Sequence, residues 1–190
     1  MSRDSKPQWP VVITDGSLTL RPLRFRDRRS WLESRRFNRE WLQPWEATSP
    51  IHKIDAALPS YFEMVAHHNR EGRAERALSL AIWSDNKFVG QITLGGIAFG
   101  AYRGGHIGYW IDQRLANNGL TTRAVKALTK YAFDEMKLHR IEINLRPENG
   151  ASQRVAQKAG YKLEGERARF LHIDGDWRDH ITFVAENPRI

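Results

Sequence analysis

Apolar and polar residues alternate through Leu18-Thr-Leu-Arg-Pro-Leu23, the period of a half-buried strand, and Asp27 stands where an N-cap opens a helix to about Phe37. Trp31, Leu32, Arg35 and Arg36 give that helix one apolar edge, and Pro44 ends helical periodicity between Trp41 and Trp45. Ala57, Leu58, Tyr61, Phe62 and Val65 recur at three- and four-residue spacing, which predicts a second amphipathic helix over Ile54–Asn69, followed by a loop over Arg70–Arg76. Two strand-like runs, Leu78–Trp83 and Phe88–Leu94, are joined through Ser84-Asp-Asn-Lys87 as a hairpin, and His106–Ile111 adds a third antiparallel strand after the bend Gly100–Gly105. Helical spacing returns at Leu120, Ala124, Leu128, Tyr131, Ala132 and Met136, predicting a long helix over about Thr121–Met136. Arg140–Leu145 reads as a strand and Ala151–Ala159 as a short helix closed by Gly160. Tyr161–Glu164 reads as extended, and Asp174-Gly175 as the turn of a hairpin between Arg169–Ile173 and His180–Val184.

This order of elements predicts an α/β (α+β) fold with one mixed, mostly antiparallel sheet flanked by helices, and not a doubly wound one. With 190 residues and neither repeat nor linker, one domain over 1–190 is expected, residues 1–16 forming an extended N-terminal segment. A hydrophobic content of 41% and a charged content of 27% fit a folded globular chain and exclude disordered or low-complexity classes. No apolar run approaches the roughly 18 residues of a membrane span, and Met1 to Trp9 lacks a signal-peptide core, so a cytoplasmic location with no membrane partner is expected. The absence of cysteine excludes disulfides, thiolate metal sites and any covalent cysteine intermediate.

The formal net charge is +8, with no separate basic tail. Between Arg21 and Arg39, however, eight arginines face only Asp27 and Glu33. Such a segment is either a solvated helix face or a surface that draws phosphates, RNA or an acidic protein surface.

The segment from Trp110 to Arg123 reads as a strand end, a short Asn- and Gly-containing loop and a helix opening. The first amides of a helix lack internal partners and its dipole places about half a positive charge there, so Asn117 to Thr122 could seat a pyrophosphate. Gly119 permits close backbone approach, and the Thr121 and Thr122 hydroxyls can donate to phosphate oxygens. The alternative is a well-capped helix and nothing more. Neither the P-loop pattern nor the dinucleotide glycine fingerprint is present.

Thirty residues further on, Arg146-Pro-Glu-Asn149 precedes Ala151-Ser152, and Lys158-Ala-Gly-Tyr-Lys-Leu-Glu-Gly165 follows. Together with Arg114-Leu-Ala-Asn-Asn-Gly119, this series resembles the GNAT acetyltransferase superfamily, whose Q/R-x-x-G-x-G/A motif cradles the coenzyme A pyrophosphate. The first glycine of that motif is Asn117 here, which tolerates left-handed backbone but is bulkier near phosphate. Leu18–Leu23 and Asn38-Arg-Glu-Trp-Leu-Gln-Pro-Trp45 further resemble the RimJ/RimL branch, which acetylates N-termini of ribosomal proteins.

The resemblance implies acetyl-CoA as co-substrate. Its contacts are expected from Trp110, Ile111, Arg114, Asn117, Asn118, Gly119, Leu120, Thr121 and Thr122, with Asn149 and Ser152 near the pantetheine arm. A backbone N–H near Tyr109 to Ile111 would polarise the thioester oxygen. His106 opens the strand where many relatives carry a glutamate base, and an imidazole suits deprotonation of an α-amine, of which roughly 10% is already neutral at pH 7. The alternative for His106 is an ordinary strand histidine; Glu46 and His172 are further base candidates without motif support. Ser152 is the candidate acid for the departing thiolate, or else a helix cap, and Tyr161 falls too far along to serve. At the position where RimL-like enzymes can carry a catalytic glutamate the chain has Leu171. Trp45 is a candidate for the acceptor pocket, whereas Trp41 is read as a core aromatic. The pair His67-His68 has no third ligand at metal spacing, and no metal is expected.

Three functions are therefore carried forward: an N-acetyltransferase acting on a protein N-terminus, ribosomal by resemblance; the same fold acting on a small amine; and a non-catalytic acyl-CoA- or RNA-associated module. A monomer and a homodimer are both compatible with the sequence.

Overall fold

The computed structural model describes residues 9–51 and 59–190. Eight strands form one sheet in the order β1-β2-β3-β4-β5-β6-β8-β7: β1 Ile13–Asp15, β2 Leu18–Arg21, β3 Leu78–Ser84, β4 Lys87–Ala98, β5 Gly104–Ile111, β6 Arg140–Leu145, β7 Lys162–Ile173 and β8 Asp176–Glu186. Among the described residues five α-helices accompany them: α1 Arg28–Phe37, α2 Arg39–Leu42, α3 Tyr61–Arg73, α4 Leu120–Asp134 and α5 Gly150–Lys158. Every strand pairing is antiparallel except β5 with β6, where the connection through α4 supplies the crossover that a parallel pair requires.

Strand alternation divides the side chains between two layers. Leu18, Leu20, Leu80, Ile82, Ile92, Leu94, Ile107, Ile141, Ile143 and Phe183 point to the face covered by α4 and α5, where Ala124, Leu128, Ala132 and Ala156 meet them. Each fully buried aliphatic side chain there contributes roughly 1.5–3 kcal/mol. On the opposite face a smaller cluster of Leu23, Tyr61, Val65 and Ala81, with Trp31 and Trp83 against it, holds α1 and α3. The mixed, mostly antiparallel architecture is the one the sequence predicts.

Several boundaries differ from expectation for identifiable reasons. The strand β1, three residues long, was too short to show alternation. The predicted loop over Arg70–Arg76 is helical as far as Arg73. At the other end of α3, Pro59 and Ser60 are not helical, and Ser60 accepts from the Glu63 amide while Glu63 reaches back to the Ser60 amide. That reciprocal cap fixes the start of the helix; Ile54, Ala57 and Leu58 lie outside the described residues. The segments Tyr161–Glu164 and Arg169–Ile173 belong to one exposed strand, β7, interrupted by register shifts at Leu163/Gly165 and Arg167/Leu171. Asp27 does stand at the start of α1, but its carboxylate accepts from the Arg21 guanidinium and the Arg24 amide rather than from α1.

Candidate active site

The register of β5 creates the site. Gly104, Gly105 and His106 pair with Arg140, Ile141 and Glu142, and pairing between the two strands stops there. From Ile107 to Ile111, β5 stays with β4 and the sheet forks. A cavity of about 910 Å³ opens at this fork, in the size range of cofactor sites. One wall is Gly108 to Ile111 of β5, the opposite wall is Glu148 to Ser152 with Arg154, Val155 and Lys158 of α5, and the base is the loop and helix start from Leu115 to Thr122.

That base is rich in unpaired donors. Asn117 and Gly119 adopt left-handed backbone, at φ 65 and 74, and the first bond closing α4 runs from the Arg123 amide to the Gly119 carbonyl. The amides of residues 120 to 122 therefore have no acceptor inside the helix, and all three residues line the cavity. A Cβ built on Gly108 or Gly119 meets nothing within 4 Å, so neither glycine is there for protein packing. Gly119 is needed for its positive φ, and the space over Gly108 belongs to the cavity. We expect Gly108→Val to fold normally, since valine suits a strand, and to weaken binding of coenzyme A by at least about tenfold, or 1.4 kcal/mol. Calorimetric titration alongside thermal melting checks both halves.

Most residues singled out by sequence converge on this cavity. Trp45, Trp110, Ile111, Asn117, Asn118, Gly119, Leu120, Thr121, Thr122, Asn149 and Ser152 all line it. Arg114 does not. Its guanidinium is bound twice by the Asp112 carboxylate, at 2.8 and 2.6 Å, and stacks 4.1 Å over Phe37. Asn149 caps α5, its side-chain oxygen accepting from the Ser152 amide at 3.0 Å. The Tyr109 hydroxyl spans the fork to donate to the Ser152 carbonyl at 3.2 Å, and burial pushes its pKa up to about 12, so it remains a donor. Tyr161 lies in the core, its hydroxyl shared with Thr129.

His106 is the last residue of β5 before the fork, one step down the same sheet face from Gly108 and Trp110, and outside the cavity wall itself. Its ring lies over a bulge in β4, where a Cβ on Gly96 would come within 2.8 Å of it. The residue as a whole is exposed, yet the β4 backbone packed against its ring partly desolvates it and lowers its pKa, against the opposing pull of Glu142, its neighbour on β6. Burial would raise the carboxyl of Glu142, but hydrogen bonding from Arg140 and the charge of Arg167 outweigh it and keep it low.

The acceptor-side wall carries residues the sequence reading placed elsewhere. Trp41, expected in the core, is 38% exposed and lines the cavity with Trp45, because the short α2 and the turn after it leave no second layer above them. Arg35 and Glu46 are ion-paired in the same wall, the guanidinium 5.3 Å over Trp110. A strap holds this wall in place. Ala47 bridges Ile173, the Thr48 amide donates to the His172 carbonyl, and the Thr48 hydroxyl meets His172 Nδ1 at 2.8 Å. His172 is thereby engaged in the strap, and Leu171 lies outside the cavity. Arg154 and Lys158, cations on the α5 wall, were missed, although their four-residue spacing on a predicted helix was a signal. Among the described residues no group of three or more His, Asp or Glu could hold a metal ion, and no helix is long and apolar enough to cross a membrane.

The fold and cleft place the protein among the N-acetyltransferases. Residues 17–162 match the family Acetyltransferase (GNAT) domain, and the chain belongs to that family. It is 34% identical to RimJ of Mycobacterium smegmatis, solved in complex with CoA-disulfide, with a TM-score of 0.88 over 97% of this chain and 91% of that one. It is 27% identical over 182 residues to the [ribosomal protein uS5]-alanine N-acetyltransferase of Escherichia coli, covering 94% of this chain and 92% of that protein. The ribosomal-protein-S5-alanine acetyltransferase of Vibrio fischeri shares the fold at 24% identity, with a TM-score of 0.80 over 94% of this chain and 97% of that one.

Proposed function

We propose that the protein transfers acetyl from acetyl-CoA to the α-amino group of a protein N-terminus, with a ribosomal protein as acceptor. The observation that carries this reading is similarity along almost the whole chain to RimJ of Mycobacterium smegmatis, which extends through the acceptor-side segments as well as the donor loop. On this reading residues 1–190 act as one N-acetyltransferase domain working in the cytoplasm, where ribosomes are assembled.

Acetyl-CoA supplies a thioester that an amine can attack directly. The amides of residues 117–122 and the hydroxyls of Thr121 and Thr122 bind its pyrophosphate, with the α4 dipole adding to their field. Arg154 and Lys158 offer positive charge to further phosphate. Asn149, whose side-chain oxygen is committed to the α5 cap, has its amide nitrogen left for the pantetheine arm. The β5 backbone from Tyr109 to Ile111, unpaired on the fork side, donates to the carbonyl oxygen. His106 takes the proton of the acceptor amine through water, and Ser152 returns one to the leaving thiolate. Trp41, Trp45 and Glu46 receive the first residues of the acceptor. Arg114 serves instead to hold the loop through Asp112.

A peptide with a free N-terminal alanine and an internal lysine, incubated with the protein and acetyl-CoA, tests the reading by mass spectrometry. We expect acetylation confined to the terminus, because roughly 10% of an α-amine but only about 0.04% of a lysine is neutral at pH 7. Acetylated lysine would overturn the acceptor assignment. An unmodified peptide together with acetylation of a small amine such as a polyamine would replace the protein substrate with a small molecule.

A further inference from the structure

The eight arginines between Arg21 and Arg39 separate into two groups. Arg21 and Arg35 turn inward, to Asp27 and Glu46. Arg24, Arg26, Arg28, Arg29, Arg36 and Arg39 remain exposed. Among the described residues only Arg29 of these six has an ion-pair partner, Glu33. Charge alone would fit any polyanion, but this face also presents flat aromatic rings. Phe25 and Phe62, 58% and 48% exposed, meet edge to face at 5.3 Å, and the Arg28 guanidinium lies 5.9 Å over Phe62. At the other end of α1, Phe37 is 54% exposed and carries the Arg114 guanidinium on its face. One aromatic pair thus stands just ahead of α1, on the turn before it and on α3, and another ring on its last residue, with about 15 Å of helix between them at 1.5 Å per residue and exposed cations along it.

A purely electrostatic contact with an acidic surface makes no use of the exposed rings, whose burial would need an apolar or aromatic partner group. Unstacked bases use both features, stacking on rings and guanidinium planes while the backbone follows the positive charge. We propose that this face binds single-stranded RNA. The inference goes beyond the acetyl-transfer reading and stands or falls without it.

The test measures fluorescence anisotropy of the full chain with a labelled mixed-sequence RNA of about 20 nucleotides, long enough to span both aromatic sites, across a range of potassium chloride. We compare it with an Arg28→Gln/Arg36→Gln/Arg39→Gln variant and, separately, Phe62→Ala. Losing three phosphate contacts lowers the slope of log K against log salt by about 2, with affinity falling at least tenfold. Phe62→Ala weakens binding roughly tenfold and leaves the slope unchanged. All four side chains lie outside the cleft, so acetylation of free peptide stays at wild-type values in both variants; the melting temperature is unchanged in the arginine variant and falls by only a few degrees in Phe62→Ala, which gives up its contacts with Phe25 and Tyr61. Binding unaffected by the arginine changes overturns the proposal. So does poly-glutamate competing as well as RNA with no effect of Phe62→Ala, which would reassign the face to an acidic protein.

Discussion

Replacing His106 with glutamine lowers kcat for acetyl transfer by roughly 10²- to 10⁴-fold, the contribution of a positioned general base, while leaving the affinity for acetyl-CoA unchanged. The expectation rests on where the ring is held. His106 is the last residue of β5 paired to β6, so it marks the apex of the fork. It rests on a β4 bulge in which Gly96 has φ 59 and no room for a side chain, an irregularity that an ordinary strand histidine would not need. Burial lowers the imidazole pKa, which keeps the ring neutral and able to accept a proton at pH 7. Because the shift is downward, the acid limb of kcat/KM is expected below about pH 6.5, the ordinary imidazole value, and it should disappear in the glutamine variant. A variant with wild-type kcat and an unchanged pH profile would remove His106 from the mechanism and leave Glu46, already in the cavity wall, as the carboxylate to test next.

The sheet was legible where one face of a strand is more buried than the other, as in β2, β4 and β5, and in β3, buried on both faces, from its apolar run alone. It was illegible in β7, whose residues are exposed on both faces and so show no alternation, and whose two bulges break the period again. The donor side of the site was readable because it is built from contiguous backbone: an amide-bearing loop, a glycine at positive φ and a helix start can all be recognised within a dozen residues. The acceptor side is assembled by tertiary contacts between segments more than 100 residues apart, such as Thr48 with His172 and Arg146 with the Pro44 carbonyl. No local pattern encodes those contacts. Trp41 shows the consequence, for an aromatic at helical spacing looks the same whether it faces a core or the mouth of a cleft. The start of α3 is a different case, since Ser60-x-x-Glu63 is a capping signature that was present to be read.

The junction between α1 and the donor loop is expected to be the most sensitive point outside the core. Asn38, fully buried, accepts from the Gln113 amide at 2.7 Å and donates to the Ser34 carbonyl at 2.8 Å. Ser34 in turn donates to Asp112, which receives the Arg114 amide and guanidinium at the head of the same loop. Asn38→Leu keeps the number of side-chain heavy atoms while adding volume, and it strands the Gln113 amide, at about 1–3 kcal/mol; the Ser34 carbonyl loses the side-chain donor, at about 0.5–1.5 kcal/mol, but keeps the Asn38 amide. A loss of about 2 to 4 kcal/mol lowers the melting temperature of a chain this size by roughly 4 to 15 °C. Ser34→Ala, which removes one hydrogen bond to a carboxylate, should cost less, about 1.5–3 kcal/mol, and the order of the two distinguishes a network centred on Asn38 from one centred on Asp112. The same knot predicts acid sensitivity. Hydrogen bonding from Arg114, against the effect of burial, lowers the Asp112 pKa from 3.8 to about 2. Its folded pKa lies below the unfolded one, so its contribution is complete above about pH 4 and is lost as pH falls towards 2. Since α1 carries Arg35 and the loop leads to the amides of residues 117–122, loosening the junction should also weaken coenzyme A binding. A melting temperature within a degree of wild type would mean that α1 and the donor loop are held together elsewhere.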